Sequence, residues 1–260
     1  MGPIDTSGQD SLGHAVRAAG IDAVPVWFDE VRSTNDEARR LAAEGAPEWT
    51  VVAAAHQTAG RGRLGRRWLD VPGRSLLCSV ILRPRLGPDD GHLLTLATAV
   101  DLLEAAGVSG LGAKWPNDIV AGERKCAGIL AEAQVRDGAF DHVVLGVGVN
   151  VTAGPEDLPE ELRDTATSLA IEGASVDRHG LLTAFLGALR ARLDGDGFPR
   201  GVVEAYRPRC RTLGRRVRAT TTSGNGVEGR AVDVDERGNL LVERDGRIER
   251  VSFGEVEHVA

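Results

Sequence analysis

Lysine and cysteine are scarce in this chain, and long apolar runs are missing. Among 31 lysines and arginines only Lys114 and Lys125 are lysines. Three cysteines form neither an even disulfide set nor a closely spaced metal site, so we expect reduced, partly buried thiols. No apolar run approaches the roughly 18 residues of a membrane span, and residues 1–20 lack the basic start and apolar core of a signal peptide. These absences predict a globular, cytoplasmic protein without a membrane partner.

Positive charge is in deficit over the chain as a whole. The formal net charge is -7 over 260 residues. A protein that coats nucleic acid needs a wide basic face that neutralises many phosphates. We therefore do not expect DNA as a partner. The length and the 42% hydrophobic content suffice for one large domain with a small appendage, each with its own core.

Against this acidic background, residues 60–68 concentrate positive charge. They read GRGRLGRRW in single letters, with four arginines, three glycines and one tryptophan. Glycine removes side chains that would hold a guest away from the backbone, so N–H groups and guanidinium groups can converge on one anion. The segment predicts a small anionic ligand. The alternative is a solvated, arginine-rich turn.

The two lysines stand eleven positions apart in a constrained region. Lys114 is followed by Trp115, Pro116, Asn117 and Asp118, and Lys125 begins a second extended run. We interpret this region as a hairpin with a lysine at the start of each arm. A compact ammonium can hold a carboxylate or phosphate oxygen at one point, which a planar guanidinium cannot do. An edge hairpin with solvated ends is the alternative.

The periodicity of apolar residues predicts an α+β fold. A capping-box pattern at Thr34 and Glu37 opens one helix, and the glycines Gly146 and Gly148 inside a strand indicate close approach by a ligand or by backbone. Beyond Gly214 short alternating strands with an Asp-Gly turn predict a small β-barrel. The predicted strands are 26–31, 51–55, 75–82, 143–151, 227–234, 240–244 and 248–253, and the predicted helices are 34–41, 92–106, 178–193 and 201–212.

Taken in order and spacing, these motifs resemble those of the biotin protein ligases. The resemblance spans residues 25–260 and rests on Ser33-Thr34-Asn35, Gln57-Thr58, the segment 60–68, Lys114 to Asp118, Lys125-x-x-Gly128-Ile129-Leu130 and Gly146-x-Gly148-x-Asn150. It implies a mixed β-sheet flanked by helices, as in the lipoyl ligases, and an SH3-like barrel at the C-terminus. The implied division is an N-terminal extension (1–24), a catalytic domain (25–212) and the barrel (213–260). The extension is too short for a DNA-binding winged helix, so the monofunctional type is expected.

The resemblance also implies the reaction. The biotin carboxylate attacks the α-phosphate of ATP, which enters with Mg²⁺, and gives biotinyl-5'-AMP and pyrophosphate. A lysine of the biotin carboxyl carrier domain of an acyl-CoA carboxylase then attacks the mixed anhydride. No tightly bound prosthetic group is expected, and the oligomeric state is left open between a monomer and a ligand-dependent homodimer.

Site residues follow from the resemblance position by position. The catalytic set is Lys125, Arg63 and, as candidate base for the acceptor amine, Asp118. No protein side chain is assigned to a metal, and Cys126 is expected to belong to the core. The biotin-binding set is Ser33, Thr34, Asn35, Gln57, Gly60, Arg61, Arg63, Lys125 and Gly128. The ATP and adenylate set is Arg61, Arg63, Arg66, Trp68, Asn117, Lys125 and Asn150, with Trp68 stacking on adenine.

Two other functions remain open from the sequence. A lipoyl or octanoyl protein ligase shares the fold and the acyl-adenylate chemistry, although Ser33, Thr34 and Gln57 favour the polar ureido group of biotin. A non-enzymatic module that binds phosphate or single-stranded nucleic acid could use Trp68 as a stacking platform. The net acidity and the single tryptophan in the loop count against that module.

Overall fold

The computed structural model describes residues 7–23, 25–195, 198–221, 226–252 and 254–259. It contains a large mixed sheet with helices on both faces and a smaller C-terminal sheet. The helices are α1 (Ser7–Ala18), α2 (Thr34–Ala43), α3 (Leu93–Ala106), α4 (Arg178–Asp194) and α5 (Val202–Tyr206). The strands are β1 (Pro25–Val31), β2 (Val51–Gln57), β3 (Ser75–Leu82), β4 (Leu111–Lys114), β5 (Asp118–Ala121), β6 (Arg124–Arg136), β7 (Ala139–Asn150), β8 (Arg216–Thr221), β9 (Gly226–Val234), β10 (Leu240–Arg244), β11 (Arg247–Val251) and β12 (Gly254–His258).

Seven strands form the large sheet in the order β1-β2-β3-β7-β6-β5-β4. Only β1 and β2 are parallel, and every other neighbouring pair is antiparallel. Successive side chains of a strand point to opposite faces. Val51 and Ala53 accordingly pack with the main helical core, whereas Val52 packs beneath α2. Both faces of the central strands are therefore buried, which explains their nearly continuous apolar sequence.

The two faces of the sheet differ in how much helix covers them. Of the helices in the described residues, only α2 packs on one face, where Ala38, Ala42 and Ile81 form a small apolar cluster. Helices α1, α3, α4 and α5 pack on the other face in the main core. The face under α2 thus keeps uncovered sheet beyond the helix, over β7 and β6, and the predicted site residues gather there.

Helix α1 was not predicted from the sequence. It packs against β1 and α4, with Leu12, Ala15 and Val16 buried in the main core. The described part of the predicted extension therefore packs with the large domain, and residues 1–6 lie outside the described residues. The boundaries after 24 and 212 stay predictions.

The C-terminal strands form an antiparallel sheet in the order β11-β10-β9-β8-β12. The predicted Asp-Gly hairpin is present: Asp245 and Gly246 both have positive φ, at 52° and 73°, and join β10 to β11. The sequence prediction missed β8 and β12, two of the strands in this sheet. The predicted α+β class, with a mixed sheet between helices and a small C-terminal β-domain, is confirmed.

Trp115 joins the two sheets. Its indole Nε1 donates to the carbonyl of Gly238 at 2.9 Å, and its backbone N–H donates to Thr212 Oγ1 at 3.0 Å. The ring is buried, so the C-terminal sheet is held directly beside the segment from Lys114 to Asp118. Among the described residues no helix has the length and apolar character needed to cross a membrane.

The hairpin interpretation of the two lysines needs a correction. Lys114 is the last residue of β4, and the hairpin that carries Lys125 is the one formed by β5 and β6. The Trp115-Pro116 peptide is cis and lies in the turn from β4 to β5. Only Lys125 therefore stands near the start of a hairpin arm, and Lys114 reaches the same region from the neighbouring strand.

Candidate active site

A network of buried polar side chains forms one end of a cavity beside α2. Gln57 Oε1 accepts hydrogen bonds from the Thr34 backbone N–H at 2.7 Å and from Thr34 Oγ1 at 3.1 Å. Ser79 Oγ lies 2.8 Å from Thr34 Oγ1 and donates to Asn35 Oδ1 at 2.6 Å. Ser33, Thr34 and Asn35 are each at most 4% exposed. These groups are fixed in place before any ligand arrives.

The capping-box prediction for α2 was wrong. The N-cap is Ser33, and its side chain makes no capping hydrogen bond. Gln57, at the end of β2, accepts from the first free N–H of the helix instead. Capping by a neighbouring strand cannot be read from local sequence, because the two partners are 23 residues apart.

The two strand glycines accommodate side chains of the site. A Cβ on Gly146 would lie 2.0 Å from Asn35 Oδ1, and a Cβ on Gly148 would lie 2.6 Å from Trp68 Cε2. Gly128 is paired with Gly148 across β6 and β7 and also lies beneath Trp68. The predicted close approach is thus made by Asn35 and Trp68, which pack onto the bare backbone of the sheet.

The glycine-arginine segment folds as a short hairpin over this floor. The backbone N–H of Trp68 donates to the Gly60 carbonyl at 3.0 Å, and that of Gly62 donates to the Arg66 carbonyl at 2.7 Å. A Cβ on Gly60 would lie 2.5 Å from the Trp68 carbonyl, so glycine is required for the closure. Trp68 Nε1 is buried and has no hydrogen-bond acceptor among the described residues.

Most arginines of this hairpin already have partners. Arg61 lies 2.9 Å from Asp36 Oδ1 on α2 and 2.9 Å from Glu132 Oε1 on β6. Arg66 contacts Glu255 Oε2 of the C-terminal sheet at 2.6 Å, while Arg67 donates to the Thr58 carbonyl at 3.2 Å. Two of the four arginines, Arg61 and Arg66, are therefore balanced by carboxylates from three different elements.

Arg63 differs from Arg61 and Arg66, which pair with carboxylates, and it is less exposed than Arg67. Its Nη1 donates to Asn117 Oδ1 at 3.2 Å, a neutral partner. Burial lowers the pKa of the Arg63 guanidinium, while the nearby carboxylates of Asp118 and Glu255 act in the opposite direction. A desolvated guanidinium without a bound carboxylate is a strong receptor for an anion, because the unfavourable burial is relieved when negative charge arrives.

Lys125 and Asp118 form an ion pair at the opposite wall. Lys125 Nζ lies 2.7 Å from Asp118 Oδ1 and 5.6 Å from the centroid of the Trp68 ring. Asn117 is held beside them by two hydrogen bonds to the backbone of Ile129. Its side-chain Nδ2 donates to the Ile129 carbonyl at 3.0 Å, and its backbone carbonyl accepts from the Ile129 N–H at 2.9 Å. One cation, one carboxylate and one amide are thus clustered within the same cavity.

The structure brings nearly all predicted site residues to one cavity. Those lining it are Ser33, Thr34, Asn35, Gln57, Arg61, Arg63, Arg66, Trp68, Asn117, Asp118, Lys125 and Gly128. Gly60 stands behind the wall, where it closes the hairpin. Asn150 is not brought there: it is buried, and its Nδ2 donates to the Thr167 carbonyl at 3.0 Å. The structure therefore gives no support to the predicted ligand contact of Asn150.

Several site residues were missed by sequence reasoning. Ser79 completes the polar network from within an apolar strand, and Asp36 and Glu132 hold Arg61. Glu255 enters the cavity from the C-terminal sheet. Asp36 and Glu132 stand next to recognised motifs, but nothing in the local sequence marks them as partners of Arg61. Only Ser79 carries a signal of its own, as a polar residue inside an apolar strand. Cys126, as expected, is core: burial raises the pKa of its thiol to about 12.

Comparisons with known proteins agree with this geometry. Residues 27–150 match the Biotin/lipoate A/B protein ligase family, and residues 212–259 match the Biotin protein ligase C terminal domain. The chain is 38% identical to a biotin--[acetyl-CoA-carboxylase] ligase of Mycobacterium tuberculosis, over 87% of this chain and 86% of the relative. It is 36% identical to the bifunctional ligase/repressor BirA of Bacillus subtilis, over 89% and 73%.

A solved structure supports the same assignment. The biotin protein ligase from Aquifex aeolicus in complex with biotin and ATP superposes with a TM-score of 0.71 at 27% identity, covering 90% of this chain and 99% of that one. At 90% of this chain, the match includes residues of both sheets. With a relative above one third identity across most of both chains, this chain belongs to the biotin protein ligase family.

Proposed function

We propose that this protein ligates biotin to a lysine of a biotin carboxyl carrier domain, with ATP as co-substrate and biotinyl-5'-AMP as intermediate. The observation that carries the proposal is the single cavity in which a preformed polar end, built on Thr34 and Gln57, faces Arg63 and Lys125. Such a cavity suits a ligand that is polar and neutral at one end and anionic at the other. The names of the family members compared above support the same substrate.

In the first step the biotin carboxylate attacks the α-phosphorus of ATP. A new O–P bond forms, the bond to the β-phosphate oxygen breaks, and pyrophosphate leaves with the electron pair. Two anions must approach each other, so fixed cations are the main requirement. We assign the desolvated Arg63 and the compact Lys125 to that role, with Arg61 and Arg66 contributing once a phosphate competes with their carboxylate partners.

In the second step the acceptor amine attacks the carbonyl carbon of the mixed anhydride. The C–N bond forms, the C–O bond to phosphate breaks, and AMP leaves with the electron pair. A lysine amine is protonated in free solution, with a pKa of about 10.4, and must lose a proton first. Asp118 is the proposed acceptor of that proton. Its ion pair with Lys125 couples the two steps, because an anion that draws Lys125 away frees the carboxylate.

The metal ion, the carrier protein and the cellular location are each proposed on separate grounds. Mg²⁺ is proposed only as the ion that accompanies ATP, since within the described residues no cluster of three His, Cys, Asp or Glu side chains could hold a metal. The carrier is proposed to belong to an acyl-CoA carboxylase, in line with the names of two relatives. The cytoplasm is the proposed location, in keeping with three unpaired, buried cysteines.

The test compares three carboxylic acids and one polymer. Purified protein with ATP is expected to release pyrophosphate with biotin, and far more slowly with lipoate or octanoate. Calorimetry is expected to detect binding of biotin and none of a single-stranded oligonucleotide. Faster turnover with lipoate or octanoate would replace the function by that of the related ligases. Binding of the oligonucleotide without pyrophosphate release from any acid would replace it by a binding module.

A further inference from the structure

A second cavity adjoins the first at the Arg63–Asn117 hydrogen bond. Both residues line both cavities, so this single bond forms part of the wall between them. The second cavity is lined mainly by apolar groups, among them Leu96, Leu130, Ala133 and Phe140. It is called the side cleft below. The roles proposed above for the residues of the first cavity leave the side cleft without a function.

The side cleft exists because the sheet loses a strand at this point. Strand β5 pairs with β6 only as far as Gly128, while β6 continues for eight residues to Arg136. Past Gly128 the outer edge of β6 has no neighbouring strand among the described residues. The cleft runs around this edge, from Asn117 on the site side to the first turn of α3 on the other face.

The cleft is bounded by close contacts on two sides and is open at its rim. Gly91, before α3, has Phe140 Cζ 2.7 Å from the position of a Cβ, so the loop and β7 are in close contact. A Cβ on Gly238 would lie 2.8 Å from Leu96 Cδ1, so the C-terminal sheet closes the far end. Ala133 and Ser252 stand at the exposed rim. An apolar cleft with an open rim accommodates a side chain that enters from outside.

We propose that the side cleft receives the methylene chain of the acceptor lysine together with an apolar side chain next to it on the carrier domain. This inference rests on the proposed function. The adenylate would fill the first cavity, so the amine has to come from another side, and the side cleft adjoins that cavity through Arg63 and Asn117. An apolar lining suits four methylenes, and Asn117 and Asp118 stand at the inner end, where the ammonium must lose its proton.

The cleft can be filled without touching the first cavity. Ala133 lines only the side cleft and is exposed, so Ala133→Trp is expected to fold and to block entry. Val135→Trp is the matched control, since Val135 lies two residues further along the same strand, is exposed and lines neither cavity. Thr95→Phe fills the cleft from α3 and keeps the test independent of one substitution.

The readout uses a carrier domain and hydroxylamine as alternative nucleophiles. Hydroxylamine needs no cleft to reach the mixed anhydride. For Ala133→Trp and Thr95→Phe we expect adenylate formation and its consumption by hydroxylamine near wild-type rates, with the KM for the carrier domain raised about tenfold or more. Val135→Trp should match wild type in all three assays.

Three results would overturn the inference. A carrier KM unchanged in both folded cleft variants would show that the acceptor enters elsewhere. An equal loss with hydroxylamine would place the defect in the adenylate site. If the wild-type protein made no adenylate at all, the proposed function would fail first, and the docking proposal with it, which separates the two failures.

Discussion

The two ends of the cavity are built on different physical principles. At the polar end Thr34, Asn35, Gln57 and Ser79 are joined by short hydrogen bonds, and the first two are almost completely buried. At the cationic end Arg61 and Arg66 pair with carboxylates, and the Arg66 side chain is 68% exposed. The first end is rigid without a ligand, whereas the second is a set of exchangeable ion pairs.

The difference indicates a division of labour between the ends. A buried, satisfied network holds its donors and acceptors in one geometry, which selects a ligand by shape and hydrogen bonding. Exposed ion pairs are individually weak, so a phosphate can displace their carboxylates at little cost. Arg63 and Lys125 lie between the two ends and are the groups on which both depend. Substitutions at the polar end should therefore change stability and ligand selection, whereas substitutions at the cationic end should have small, salt-dependent effects.

The largest effect is expected at the point where the ends meet. Lys125→Ala, like Arg63→Ala, should lower the rate of biotin-dependent pyrophosphate release by about 100-fold or more, because a preorganised cation next to the reacting phosphate is lost. Circular dichroism should find the fold intact. Lys114→Ala is the matched control, since Lys114 is the other lysine at the cavity and has no assigned charge to stabilise. Equal losses for the two lysines would contradict the role given to Lys125.

The next largest effect is expected beneath the polar network. Gly146→Ala would place a methyl group 2.0 Å from Asn35 Oδ1. Asn35 or the strand must move, so we expect the free energy of unfolding to fall by about 1–3 kcal/mol, as for other overpacked interiors. Denaturant unfolding measures this. Gly110→Ala is the control, because a Cβ there meets nothing within 4 Å. Unfolding at the same denaturant concentration in both variants would mean that Asn35 or the strand can move aside without loss of stability.

A smaller effect is expected from one hydroxyl of the network. Thr34→Val removes Oγ1, which bonds to Gln57 and Ser79, while keeping the shape of the side chain. Gln57 keeps its bond from the Thr34 backbone N–H and Ser79 keeps its bond to Asn35, so each partner loses one of two hydrogen bonds, at about 0.5–1.5 kcal/mol per bond. We expect biotin to bind several-fold more weakly, with little change in the affinity for ATP. Calorimetry with each ligand alone separates the two. An equal loss of affinity for biotin and for ATP would show that the polar end does not act on biotin alone.

The smallest effect is expected at the exposed ion pairs. A double-mutant cycle of Arg66→Gln and Glu255→Gln should give a coupling energy below about 1 kcal/mol. The coupling should shrink further as salt is added, because surface charges are screened. Thermal unfolding at two ionic strengths provides the measurement. A coupling of several kcal/mol that is insensitive to salt would place this pair in the same class as the buried network.

Much of the fold could be predicted from local pattern alone. Strand β3 was predicted with its observed limits because it is a continuous apolar run that Pro84 ends. Helices α3 and α4 were predicted to within one residue at each end. Helix α1 was missed, since its sequence is interrupted by glycine and polar residues and its burial comes from β1 and α4. Strands β8 and β12 were missed, since they pair with each other although they are the first and the last strand of the C-terminal sheet along the chain, and local sequence does not contain that pairing.

The site, like the fold, was predicted in part. Motif order and spacing identified Lys125, Arg63, Thr34 and Gln57, and the structure brings them together in one cavity. Asn150 was placed with them because the motif Gly146-x-Gly148-x-Asn150 ends on it. In the structure those glycines make room for Asn35 and Trp68, and the Asn150 amide turns to Thr167. A glycine in a strand indicates close approach, but it cannot say which group approaches.

The sequence by itself determined the family, the two sheets and the residue types at the reacting centre, because these depend on periodicity and on short, ordered motifs. Only the tertiary structure decided how the charges of the glycine-arginine segment are balanced. Asp36, Glu132 and Glu255 come from three separate elements and meet Arg61 and Arg66 only when both sheets are assembled. Electrostatic balance depends on distances in space, which chain order does not contain. What reads as a cation excess along the chain is, in the folded protein, a partly buried Arg63 and an exposed Arg67 beside two arginines that are paired with carboxylates.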